Sequence, residues 1–332
     1  MIMAGKVLVT GVPGWLGNRF LEYLKDDERS VRCVTLPGMN TSSIDPFGCE
    51  IIPADLTISD SLKGITDGIE TVFHIAGIIH PKFFRTGDLH RINTLGTKNL
   101  LNEAIKSNVK RFIYISSNSA VGCNRDNTLL MNEYTPEKPY MKYGWSKYHA
   151  EQLVNEAYLK GLLETVIIRP CWYYGPGQPE RQTRLMKMIR DGKGLIVGDG
   201  QNLRSMTYID NLCEALLLAE DSLYAKGETY WIADERPYSM MEIYQVLADI
   251  QNIPLKVQKI PGFLGDIATL CDKILQSLHM YQQEVHVAGE LNKNIACSIA
   301  KAQKDLGYQP KIDLKEGMQR SLVWAKEHNQ IE

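Results

Sequence analysis

The stretch that most constrains this chain is Thr10-Gly11-Val12-Pro13-Gly14-Trp15-Leu16-Gly17. It follows the short apolar run Lys6–Thr10 and opens into a helical pattern over Leu16–Asp26. Three glycines at this spacing let a backbone turn tightly, approach a diphosphate and pack the next helix close to the preceding strand. The helix then offers free N–H groups to the anion. A lone glycine trio also makes an ordinary turn. Its place between a strand and a helix, at the head of an alternating chain, is what points to dinucleotide binding.

The alternation is regular. Apolar runs at Lys6–Thr10, Arg32–Leu36, Glu50–Pro53, Thr71–Ile75, Arg111–Ser116, Thr165–Arg169 and Thr229–Ile232 read as strands. Several are continuously apolar, the pattern of strands covered on both faces. Helical patterns at Leu16–Asp26, Ile92–Ser107, Tyr143–Gly161, Thr183–Gly192 and Asn211–Glu220 separate them. The expected class is α/β, a doubly wound and mostly parallel sheet of about seven strands. Residues 1–170 would form the dinucleotide-binding domain, with the sheet rejoined at about 203–233. Residues 171–202 and 234–332 would form a smaller, discontinuous substrate lobe, mostly helical after Ser239 and punctuated by Pro254, Pro261 and Pro310.

Composition narrows the function classes. The chain has 332 residues, 37 Lys plus Arg and 39 Asp plus Glu, a formal charge of −2. That balance gives no footprint for nucleic acid or for an anionic membrane surface. Its seven cysteines are scattered without a CxxC, and its seven histidines show no metal spacing, so no metal site is expected. Dispersed thiols and an N-terminus that runs straight into a strand suggest a reducing, cytoplasmic setting without a signal peptide. The apolar stretch Ile260–Leu278 is broken by Asp266, Asp272 and Lys273, so it should not span a bilayer, yet it could line a greasy pocket.

The end of the second strand is where an acidic residue would hold ribose hydroxyls or a basic one an extra phosphate. Thr35 and Leu36 stand there, both uncharged, and leave NAD against NADP undecided. Arg32 is nearby but mid-strand. Asp55-Leu56, after the third strand, reads either as an adenine contact or as a plain strand end.

The reacting groups are legible further on. In Tyr143-Gly144-Trp145-Ser146-Lys147 the phenol and the amine lie at i and i+4 and share a helical face. A neighbouring ammonium stabilises phenolate and brings a phenol toward the working range of an acid/base. Upstream, the strand at Arg111–Ser116 ends in Ser116-Ser117-Asn118-Ser119, at the sheet edge where open α/β folds bind ligands. A serine there can orient a substrate oxygen.

Together these features resemble an extended short-chain dehydrogenase/reductase of the NAD-dependent epimerase/dehydratase type. The resemblance extends through His74-Ile75-Ala76-Gly77, Asn93-Thr94-Leu95-Gly96-Thr97, Arg169-Pro170, Tyr174-Gly175-Pro176-Gly177, Gly198-Asp199-Gly200, Arg204 before Tyr208-Ile209-Asp210-Asn211, and Leu306-Gly307-Tyr308. It covers essentially the whole chain. It implies a Rossmann-type fold, an NAD or NADP cofactor, and hydride transfer at a secondary alcohol or ketone carbon. Tyr143 would be the acid/base, Lys147 would tune it and hold the nicotinamide ribose, and Ser117 would hold the substrate oxygen, with Ser116 as the fallback. Gly11, Gly14, Trp15, Leu16 and Gly17 would cradle the diphosphate. Asp55, Leu56, Ala76, Gly77, Asn93 and Pro170 would complete the cofactor site. A homodimer through Ile92–Ser107 and Tyr143–Gly161 is the family expectation.

Departures point to the substrate. Asn118 and Ser119 stand where dehydratases carry an Asp-Glu pair, and neither can protonate a leaving hydroxyl, so dehydration is disfavoured. Trp172 replaces the Asn that contacts a nucleotide diphosphate in many sugar-nucleotide epimerases. Arg204 resembles the arginine that grips that diphosphate, and Arg181, Arg184 and Lys187 add charge to the same lobe. The expectation leans to a sugar nucleotide. Its alternative is a 3β-hydroxysteroid dehydrogenase-like or ketone-reducing enzyme whose pocket is lined by Trp172, Phe263, Leu264 and Leu270. A non-catalytic cofactor-binding regulator is the reading from another class.

Overall fold

The structure is a computed structural model that describes residues 5–26, 29–124 and 128–331. Residues 1–4, read from sequence as the lead-in to the first strand, lie outside the described residues. Along the chain come β1 (Val7–Thr10), α1 (Trp15–Asp26), β2 (Val31–Thr35), β3 (Glu50–Pro53), β4 (Thr71–His74), the short α2 (Gly87–Leu89), a π-helical turn at His90–Gly96, α3 (Thr97–Lys106), β5 (Arg111–Ile115) and α4 (Met141–Leu159). Then follow β6 (Glu164–Pro170), β7 (Trp172–Tyr174), α5 (Glu180–Arg190), β8 (Gly194–Val197), β9 (Leu203–Arg204), β10 (Met206–Tyr208), α6 (Ile209–Asp221) and β11 (Glu228–Ile232). The last part holds β12 (Tyr238–Ser239), α7 (Met240–Asp249), β13 (Val257–Ile260), α8 (Gly262–Ser277), α9 (Gln283–Glu290), α10 (Ala300–Leu306) and α11 (Leu314–Glu327).

Seven strands form one parallel sheet in the order β11-β6-β5-β4-β1-β2-β3. The order reverses direction beside β1, which opens a crevice at the strand ends where ligands bind in such sheets. The fold class expected from sequence is the one found. The central strands are buried on both faces, which is why VLV and FIYI show no polar alternation. On one face, Phe20, Leu21 and Leu24 of α1 and Leu212, Cys213 and Leu216 of α6 pack against the sheet. On the other, Leu100, Leu101 and Ala104 of α3 and Ala150, Val154 and Ala157 of α4 do so. A third core joins β7, β10, α5, α7 and α11 through Tyr174, Met186, Tyr208, Leu247 and Met318.

The return to the sheet is shorter than expected. Only β11 rejoins it, whereas β10 pairs with β7 in a separate two-stranded ladder. The aromatic β7 and β10 face the third core instead, and their Tyr174 and Tyr208 rings meet edge-on at 5.6 Å.

Candidate active site

The glycine turn is tight for steric reasons. Gly11 has φ +83°, and a β-carbon there would sit 2.8 Å from the Ala76 nitrogen. A β-carbon on Gly14 or on Gly17 would come within 2.5 Å of the Gly11 carbonyl oxygen. The turn therefore closes on itself and on the chain leaving β4, with no room for a β-carbon at these three positions. Trp15 takes another role: its Nε1 donates to the Pro176 carbonyl at 2.7 Å and its ring meets Tyr173 at 4.9 Å. It ties α1 to the loop after β7.

Beneath the turn is a closed polar chain. The Ala76 amide donates to Thr10 Oγ1, 3.1 Å away, and Thr10 Oγ1 lies 2.8 Å from His74 Nδ1. His74 Nε2 meets Thr97 Oγ1 at 2.8 Å, and Thr97 donates to the Asn93 carbonyl. With Thr97 and the Ala76 amide both donating, every hydroxyl proton is used only if His74 is neutral, with its proton on Nε2. Burial, and then the charge of Lys147, push His74 down to about 3, which agrees. Asn93 accepts from the Ile78 amide and donates to the Ile78 carbonyl and to Ser146 Oγ. Its side chain shapes the loop after Gly77. Asp55 Oδ1 accepts from the amide and hydroxyl of Thr57, and the Leu56 carbonyl accepts from Asn99. Arg32 is held by Glu50 and by the carbonyls of Ile65 and Asp67, so its own guanidinium is engaged within the fold.

The reacting groups come together by the packing of α4 on the turn that follows β5. A β-carbon on Gly144 would collide with the Ser119 carbonyl, so only glycine allows the helix this close. Tyr143, one residue before, is thereby set on the same cavity wall as Ser117. Burial pushes the Tyr143 phenol up, and Ser117 draws it back. The spacing in sequence predicts that Lys147 lowers this phenol. The structure assigns the dominant effect to burial, because the Lys147 amine is turned to the Ile115 carbonyl at 2.7 Å and stands 4.6 Å from the centre of the Tyr114 ring. Burial pushes Lys147 down to about 7, against an upward pull from Glu151 one turn further on. Glu151 is itself fully buried and paired with Arg169 at 2.6 Å.

A cavity of about 640 Å³ joins these groups. Leu16, Gly77, Ser116, Ser117, Asn118, Tyr143, Lys147 and Pro170 line it from the sheet side. Trp172, Arg184 and Arg204 line it from the other side. Gly11, Gly14, Gly17, Ala76, Asp55, Leu56 and Asn93 lie outside this lining. Ser116 Oγ is buried without a hydrogen-bond partner among the described residues, the mark of a hydroxyl built to meet something else. That orphan hydroxyl, the tight glycine turn and the Lys147 amine over Gly77 fit a dinucleotide with its ribose and diphosphate.

Sequence reasoning missed part of the wall. His80, His286 and Glu290 line the cavity as well. His286 Nδ1 is 2.7 Å from Asp272, which Gln276 also holds, and its Nε2 is 3.7 Å from Glu290. No local motif announces this, since Asp272 and His286 belong to different helices. Arg204 donates to the Glu290 carbonyl, so its guanidinium is partly engaged. Arg181 and Arg184 line the cavity with no partner among the described residues. One expectation is overturned: Phe263, Leu264 and Leu270 do not line the pocket but stand exposed on α8. The inward stripe of that helix is Gly265, Thr269, Asp272 and Gln276.

The profile of the NAD dependent epimerase/dehydratase family matches residues 7–233. An uncharacterised protein, y4nL, of Sinorhizobium fredii (strain NBRC 101917 / NGR234) is 40% identical over 343 residues, covering 98% of this chain and 96% of its own. The N-acetyl-alpha-D-glucosaminyl-diphospho-ditrans,octacis-undecaprenol 4-epimerase of Escherichia coli O157:H7 is 27% identical, covering 98% and 97%. Among solved structures, UDP-glucose 4-epimerase of Thermotoga maritima superposes with a TM-score of 0.80 at 21% identity, over 98% of this chain and 99% of that one.

Proposed function

The chain belongs to the NAD dependent epimerase/dehydratase family, and from that premise we propose that Tyr143, Ser117 and Lys147 are its reacting groups. The protein is an NAD(P)-dependent enzyme acting at a secondary alcohol or ketone carbon, as an epimerase or a dehydrogenase/reductase. The observation that carries the residue assignment is the meeting of all three side chains on one cavity beside the glycine turn. When bound, the nicotinamide supplies or accepts the hydride. Tyr143 gives its phenolic proton to the carbonyl oxygen on reduction and takes it back on oxidation. Ser117 holds that oxygen at the phenol. Lys147, near half-protonation at neutral pH, holds ribose hydroxyls with Ser116 beside it. Gly11, Gly14 and Gly17 admit the diphosphate. Net redox and epimerisation share this proton transfer. They differ in whether the keto compound leaves or turns over in the cavity.

Residues 171–202 and 234–332 form the substrate lobe in this reading. The substrate is a sugar carried on a diphosphate, with Arg181 and Arg184 as its anion-binding groups. The relative acting on a glucosaminyl diphosphate supports this choice. A second reading, an apolar ketone or 3β-hydroxysteroid, is favoured by Trp172, Leu185, Met188 and Val287 in the same lining. A homodimer through Ile92–Ser107 and Tyr143–Gly161 suits the exposed Leu95 and Trp145, and the free thiols suit the cytoplasm. Thermal shift with NAD and NADP, then with UDP-, GDP- and dTDP-sugars and 3β-hydroxysterols, tests the reading, because a ligand of the folded state raises the melting temperature. Stabilisation by a nucleoside diphosphate sugar supports the first substrate class. Stabilisation by sterols alone sinks it.

A further inference from the structure

Helix α8 is inside out. Its buried stripe, Gly265, Thr269, Asp272 and Gln276, is small or polar. Its outward stripe, Phe263, Ile267, Leu270 and Ile274, is apolar at helical spacing and is continued by Leu278. Phe263 is 60% exposed and Leu270 58%. A helix that faces water carries the opposite pattern. The inward polarity has a cause: Thr269 Oγ1 bonds the Gly265 and Gly289 carbonyls, and Asp272 and Gln276 hold His286 and the Lys142 amide. The outward apolar stripe has no such cause among the described residues.

The apolar surface extends beyond the helix. The Tyr281 amide donates to the Phe83 carbonyl at 2.8 Å, which brings the segment of the exposed Phe83 and Phe84 to the turn that follows α8. Contiguous exposed apolar surface of this kind marks an interaction site. The charges around it lean positive, with Glu284 near Tyr281 the opposing carboxylate. Lys82, Lys259 and Lys273 are exposed with no partner among the described residues, while Asp266 is neutralised by Lys293 at 2.8 Å and Asp272 is buried inside. An apolar stripe rimmed by unpaired lysines complements an anionic bilayer surface: hydrocarbon beneath the headgroups, lysines against the phosphates. The chain's near-neutral total hides this, since the excess is local. No helix among the described residues is long and apolar enough to span the bilayer, so the contact is peripheral.

We propose that the outward face of α8, with Phe83 and Phe84, docks on an anionic lipid surface. His80 lines the active-site cavity and meets the Tyr281 hydroxyl, and the Tyr281 amide donates to the Phe83 carbonyl, so the Phe83 end of the docked face connects to the cavity wall. A substrate with a hydrocarbon part would then enter from the bilayer. That entry route rests on the active-site reading above, whereas the docking does not.

The test is co-sedimentation with phosphatidylcholine vesicles, with and without phosphatidylglycerol. Wild-type protein is expected to sediment with the anionic vesicles and to be released by salt. The variant Leu270→Glu/Ile274→Glu is expected to lose vesicle binding by about tenfold or more, with an unchanged melting temperature. Lys259→Glu/Lys273→Glu should weaken binding to anionic vesicles selectively. Tyr143→Phe should bind vesicles like wild type, which separates failure of docking from failure of the catalytic reading. Wild-type protein left in the supernatant with both vesicle types overturns the proposal. So does a halving of solution mass by Leu270→Glu/Ile274→Glu, which would make the face a contact between copies.

Discussion

At the scale of single residues, the active site depends on what is missing as much as on what is present. The absence of side chains at Gly11, Gly14 and Gly17 frees the turn, and the added methyl in Gly17→Ala would press on the Gly11 carbonyl at 2.5 Å. Relief by backbone movement costs about 1–3 kcal/mol. The expected outcome is a lower melting temperature and a smaller stabilisation by NAD; a full NAD shift in that variant would detach the turn from cofactor binding. Tyr143 makes the complementary case. Removing its hydroxyl in Tyr143→Phe leaves the packing of α4 intact but takes away the proton donor. The turnover number should fall by about 10²–10⁴ while the thermal shift with NAD persists. Unchanged turnover on any substrate found would assign the proton transfer to another group. These residues were legible because their chemistry depends on short-range spacing, three glycines in one turn or two side chains on one helical face. His286 was not, because the partner that gives it meaning is fourteen residues away on another helix.

At the scale of elements, spacing alone does not show how closely two pieces of chain approach. Tyr143 faces the same cavity as Ser117 because α4 lies against the turn at Asn118–Ala120, and Gly144 is the point of contact. Gly144→Ala would force helix and turn apart. It should reduce turnover more than it reduces stability, since the displaced atoms are those next to the reacting phenol. Equal turnover with unaltered stability would show that the contact has slack. In sequence Gly144 is only the residue between a tyrosine and a tryptophan, so its role was hidden. The strands were readable for the opposite reason: cover on both faces writes continuous apolar runs. For α8 the same rule misleads. Its apolar residues suggest an inward face, yet the hydrogen bonds of Asp272, Gln276 and Thr269 hold the polar stripe inward. Hydrophobicity gives the period of a helix but not which side the rest of the fold will claim.

Across the whole molecule, two buried titratable groups sit on opposite sides of the proton balance. His74, under the glycine turn, is pushed down to about 3 by burial, then by Lys147. The unfolded chain binds a proton there below about pH 6.5 that the folded chain refuses, so this group's contribution to stability is lost as the pH falls. Asp234, after β11, accepts from the Tyr174 hydroxyl at 2.8 Å and the Tyr208 amide at 3.0 Å, and burial pushes it up to about 7. There the folded chain keeps a proton that the unfolded chain has released above about pH 4, so stability is lost as the pH rises toward 7. His80, lowered by burial to about 4, adds to the first group, so a single wild-type pH curve blends opposing slopes. Comparing variants separates them. The destabilisation caused by His74→Gln should shrink between about pH 7 and pH 5, because glutamine has no proton to refuse. The destabilisation caused by Asp234→Asn should grow over the same interval, because at the lower pH the wild-type carboxyl is already neutral and keeps its two hydrogen bonds without cost. Urea midpoints for both variants at the two pH values measure this. If both differences move in the same direction, the neutral His74 chain and the protonated Asp234 cannot both be right.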